Sequence, residues 1–214
     1  MLRVLISALG GVPLVLLALT LVRVWVDPLS IDDGGWVRIA ASLVMIEFLL
    51  LHSGAFMAVG PVLFGKFWQR LAWFSGFGSV YALSLIGIAR WSEGRYVFWM
   101  LFAVLISRLM ILVVLRDKRG TVLMLQRSAV GMVLLILTAF ILFLPAPPLG
   151  LTEEIRWAAF GPAEDMLTEY PQRMIAWGVA YFCLMGLVEF VAGWKLPDWS
   201  DEEVERAWKM LGKK

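Results

Sequence analysis

The chain has 214 residues, of which 61% are hydrophobic and 17% charged, against about 45–50% and about 25% for soluble globular domains. With a mean hydropathy of +0.82, it is neither a water-soluble enzyme nor a disordered regulator, and one cysteine excludes a secreted disulfide scaffold. The 19 basic and 17 acidic residues leave a formal charge of only +2, so no nucleic acid partner is expected and the placement of the charges matters more than their sum.

A bilayer core about 30 Å thick takes roughly 20 apolar residues in helix, and six runs of that kind occur. The first, 4–26, contains Pro13 after Gly10-Gly11, which predicts a local backbone adjustment. Its apolar stretch is longer than a leader's, so it reads as a retained helix. The second, 37–59, carries Glu47 and His52 in the segment Glu47–Met57 and is expected to stop at Gly60-Pro61. Gly54 shares the Glu47 face. The third, 71–89, presents Ser75 and Ser79, a small-polar surface whose hydroxyls could bridge a polar cluster through water. The fourth, 96–115, carries Arg108 among leucines and isoleucine, so its stabilising partner must come from another helix. The fifth, 122–144, ends at Pro145-Ala146-Pro147-Pro148. Residues 152–170 mix acidic and apolar residues around Gly161-Pro162 and predict two short interfacial helices. The sixth span, 173–194, sets Glu189 in a stripe with Gly178, Gly186 and Gly193, small residues that allow a neighbouring helix to approach closely. In the tail, 197–214, Ser200 and Glu203 form a capping box. Val204, Trp208 and Leu211 then recur at helical spacing, predicting an amphipathic helix on the cytoplasmic face.

The fold expected is therefore an all-α, polytopic membrane bundle: six transmembrane helices over residues 1–196 and a short amphipathic C-terminal helix. Lys and Arg at Arg3, Lys66/Arg70, 116–119 and the tail fall on one side of the alternation. That places both termini in the cytoplasm, and a bacterial-type inner membrane suits the compact chain and its charge asymmetry. The eleven tryptophans fall near the ends of the spans, the depth an indole prefers.

Ionisable groups inside spans are costly and mark function or packing. Counted from the cytoplasmic ends at 1.5 Å per residue, Arg108 and His52 lie about 10–11 Å deep, Glu189 about 7 Å and Glu47 about 18 Å. An Arg108–Glu189 pair follows, because each charge alone in hydrocarbon is uncompensated. The leading functional expectation is proton or small-ion translocation, with Glu47 titrating and His52 relaying. The alternative is a non-catalytic structural or assembly subunit, whose polar cluster only fixes helix register. No enzyme active site, cofactor or metal site is expected. His52 is the only histidine, and Arg108 would oppose a cation held by Glu47, His52 and Glu189. Expected partners are the lipid bilayer and either further copies of the chain or other subunits of a membrane complex.

Overall fold

The computed structural model describes residues 2–64, 66–91, 118–162, 166–195 and 200–210. Every regular element among them is helical. In chain order these are α1 (Leu2–Val26), α2 (Trp36–Leu63), α3 (Phe67–Trp91), α4 (Lys118–Ala139), α5 (Glu153–Phe160), α6 (Met166–Glu169), α7 (Pro171–Lys195) and α8 (Asp201–Met210), with 3-10 turns at Pro28–Ser30, Asp32–Gly34 and Phe140–Phe143. Helices thus stand at five of the six expected spans. The 96–115 span, with Arg108, and the positions of Trp99, Trp199 and Leu211 lie outside the described residues. Four helices, α2, α3, α4 with its 3-10 extension, and α7, are long and apolar enough to cross a membrane, and α1 adds an apolar stretch at Gly11–Val26.

Proline chemistry sets several boundaries. Pro171 opens α7, where its missing N–H costs nothing. Leu144, before Pro145, is extended (φ −86°, ψ 146°) and ends the 3-10 turn, as the steric demand of a following proline requires. Pro13 lies inside α1 without ending it. The expected stop at Gly60-Pro61 is displaced: α2 continues to Leu63. Pro61 removes only one donor near the helix end, and the Phe64 N–H still reaches Gly60 O at 3.0 Å.

Contacts divide the chain into two compact units, Met1–Met45 with Val133–Leu196, and Ile46–Met132 with Pro197–Lys214. In the first unit α1 packs along α7. Gly11, Ala18, Leu21 and Val24 form the buried stripe of α1, while Val12, Leu16, Leu19 and Val22 are exposed. A Cβ on Gly186 would stand 2.8 Å from Val15 Cγ2, and one on Gly11 would stand 3.0 Å from Gly186 O. The two glycines therefore permit this approach in both directions. On the same stripe, a Cβ on Gly178 would come within 2.9 Å of Leu21 Cδ1 and 3.1 Å of Val44 Cγ2. The close neighbours anticipated for the α7 glycines are thus α1 and the first half of α2. There Ile39 to Val44 are buried without interruption, as in a helix covered all round.

The loops at the ends of α1 and α7 are fastened by hydrogen bonds. Trp25 Nε1–H donates to Pro147 O at 2.9 Å, and Gly150 N–H donates to Trp25 O at 3.1 Å. Arg23 holds the Asp27–Ser30 turn through Ser30 Oγ at 3.1 Å. Trp177 Nε1–H donates to Thr138 Oγ1 at 3.0 Å, joining α7 to α4. Thr152 caps α5, accepting from Ile155 N–H at 3.4 Å. Gly161 ends it at φ 73°, ψ −148°, a region open essentially only to glycine. α5 and α6 are the two short helices expected around Gly161-Pro162. Arg38, in the first turn of α2, donates to Ala159 O near the C-terminus of α5. It thereby satisfies an otherwise orphaned carbonyl and complements the helix dipole.

In the second unit the capping box of α8 forms as its sequence predicts. Glu203 N–H donates to Ser200 Oγ at 3.3 Å, and Ser200 N–H donates to Glu203 Oε2 at 2.7 Å. Trp208 is buried with Val122, and Ala207 packs beside them. The segment set apart in sequence as a tail thus docks an apolar residue onto the start of α4.

Candidate functional site

Of the expected site residues, Glu47, His52 and Gly54 lie on α2, Ser75 and Ser79 on α3, and Gly186 and Glu189 on α7. Arg108 lies outside the described residues. Glu189 and Gly186 belong to the first unit, and Glu47, His52, Ser75 and Ser79 to the second.

Glu189 is only 9% exposed, and both it and Glu47 are partnered within the chain. Among the described residues, no buried side-chain nitrogen or oxygen lacks a hydrogen bond. Burial with a partner is what a carboxylate inside a bundle requires, because an uncompensated charge there is destabilising. Glu189 lies three residues beyond Gly186 on α7.

His52 is half-buried and locally fixed. Its Nδ1 lies 3.0 Å from Phe48 O, one turn earlier. A carbonyl oxygen can only accept, so Nδ1 carries the proton, and Nε2 is the basic nitrogen of the neutral ring. The imidazole also lies between aromatic rings of its own helix, with Phe48 at a centroid distance of 4.0 Å and Phe56 at 6.5 Å. From Phe56 the contacts cross to α3, where Phe77 stacks at 5.0 Å and Trp73 lies 4.4 Å beyond Phe77. Trp73 Nε1–H donates to Phe56 O at 3.0 Å, and the indole seats against Gly60, where a Cβ would come within 2.7 Å of Trp73 Cδ1. The α2–α3 contact is thus an aromatic ladder with His52 near one end.

As the only histidine, His52 stands out in the sequence, but its ladder does not. Phe48, His52 and Phe56 recur at intervals of four, the spacing of stacked neighbours on a helix, and Trp73 and Phe77 repeat it on α3. The i,i+4 rule could have found both sets; their meeting is tertiary. Ser75 and Ser79 are exposed, and the Ser79 hydroxyl donates to Ser75 O at 2.7 Å within α3. That bond satisfies the Ser79 donor inside its own helix, leaving its oxygen only as an acceptor for a water bridge.

Outside the spans, Arg156 binds the Glu153 carboxylate through two nitrogens, with Nε to Oε2 at 3.0 Å, and donates through Nη1 to Thr168 O at 3.3 Å. These bonds fasten α6 to α5. The hydrogen bonds from Arg156 hold the Glu153 carboxyl below its ordinary range. Among the described residues no group of three or more His, Cys, Asp or Glu side chains is placed to hold a metal ion. No protein-family model, no curated protein and no solved structure matches this chain, so its function is argued from its own residues.

Proposed function

We propose that this chain is an integral membrane protein of six spans with both termini in the cytoplasm of a bacterial-type inner membrane, and that α2 carries a proton or small-ion transfer step through Glu47 and His52. The observation that carries this reading is the fixed imidazole. Its Nδ1 is held by Phe48 O, so Nε2 is the nitrogen that takes up and releases the proton. Five residues of helix separate Glu47 from His52, a rise of about 7.5 Å and a turn of roughly 140°. Transfer between them therefore runs through a bridging water or hydroxyl rather than directly. Arg108 pairs with Glu189 and holds the cytoplasmic half together.

The test is proton and cation flux into liposomes. Wild-type protein should conduct, Glu47→Gln should lose most of the flux, and His52→Ala should slow it. Equal flux from wild type and Glu47→Gln, or none from wild type, would remove the proposal.

A second reading, a structural or assembly subunit of a larger membrane complex, is favoured by one observation. Among the described residues, none of α3 from Trp68 to Ile88 is buried, which leaves a long apolar helix surface for a partner chain. In that case the protein purifies only with other chains.

A further inference from the structure

Beside the ladder, Phe64, Gln69, Trp73, Gly76, Phe77 and Val80 line an open groove of about 580 Å³ along the first half of α3. Its volume falls in the range of small-molecule sites, and apolar walls with few polar groups are their usual lining. The Trp73 and Phe77 rings form one wall, fixed by the Trp73 bond to Phe56 O. Gly76 leaves space, since a Cβ there would meet nothing within 4 Å. The polar groups gather at one end. Gln69 lies in the lining, Lys66 is exposed immediately before α3, and Arg70 follows one turn later. No Asp or Glu occurs between Glu47 and Glu93, so this stretch of chain is purely basic. The first turn of α3 adds N–H groups and the positive end of a helix dipole of 25 residues.

We propose that this groove seats one acyl chain of an anionic phospholipid, with its phosphate held at Lys66, Gln69 and the first turn of α3. A long apolar body with a negative head is the ligand chemistry that an apolar trough with basic residues at one end selects. The exposed Trp68, 73% accessible at the same end, suits headgroup depth. The assignment rests on the membrane reading above but not on the transfer step.

Native mass spectrometry of the detergent-solubilised chain with phosphatidylglycerol or phosphatidylcholine tests it. Wild type should retain one phosphatidylglycerol, with a preference over phosphatidylcholine of roughly fivefold for each basic group engaged. Lys66→Glu should abolish the preference, lowering retention of phosphatidylglycerol further than that of phosphatidylcholine, whose phosphate is offset by its own ammonium. Gly76→Leu places a side chain in the open groove, so it should lower retention of both lipids at an unchanged melting temperature.

Equal retention of the two lipids by wild type would overturn the proposal. So would a Gly76→Leu protein that binds both like wild type, or one that loses an oligomeric state while keeping its lipid, since a second copy would then cover the groove. Carbonate extraction of membranes reads the parent assignment separately. Release of the chain into the wash overturns both readings, whereas a retained chain without lipid preference overturns only this one.

Discussion

Single glycines report how closely the backbone passes its neighbours. A Cβ on Gly150 would lie 2.1 Å from Val26 O and 2.7 Å from Pro28 Cδ, and backbone and proline ring cannot rotate aside as a side-chain tip can. Gly150→Ala should therefore lower stability by about 1–3 kcal/mol as the 144–152 loop is pushed off the end of α1. Gly76, helical and open, is the control. Alanine there should be neutral or stabilising by up to ~1 kcal/mol. Thermal melts of the two variants in one detergent check the pair, and equal shifts would contradict the geometry. Nothing in the local sequence around Gly150 distinguishes it from a turn glycine, because the atoms it must avoid lie more than a hundred residues earlier in the chain.

At the scale of the element, local chemistry was legible. The Ser200–Glu203 box, the Pro145 stop and the Gly161 break all act within a few residues of themselves, so their residue types carry the information, whereas α7 begins at Pro171, two residues before the expected span. Ser200→Ala should weaken α8 by about 1 kcal/mol, read as faster amide exchange across Asp201–Met210 with little change in α7. Unchanged exchange would show that docking of Trp208 on Val122, rather than the cap, holds this helix. Helix partners were less legible. The glycine stripe of α7 announced a close neighbour, but not that α1 would fill it through Gly11 and Val15. Arg38 carries no comparable signal in the sequence, because its acceptor, Ala159 O, is created only when α5 ends beside it.

At the scale of the whole molecule, the long helices expose many large apolar side chains among the described residues. Leu16 and Leu19 of α1, Val80 and Leu83 of α3, Val133, Ile136 and Leu137 of α4, and Leu187 and Val191 of α7 are all exposed. Ser128 and Thr138 of α4 and Glu189 of α7 are buried instead. A water-soluble bundle does not leave apolar patches of such extent open. With lipid outside, helix association relies on packing and buried polar pairing. The proposed Arg108–Glu189 pair is tested at this scale. Arg108→Ala and Glu189→Ala should each lower detergent stability, and the double variant should lose less than their sum. Strictly additive losses would show the two residues to be uncoupled.

Composition and the spacing of apolar runs were enough to establish helices of membrane-crossing length and most of their ends, because a backbone in lipid must satisfy its hydrogen bonds within each segment. Which faces meet was decided only by tertiary structure. The seating of α1 on the α7 glycines, the ladder joining His52 to Trp73, and the folding of α8 onto Val122 each depend on side chains distant in sequence, whose complementarity exists only once the helices have packed.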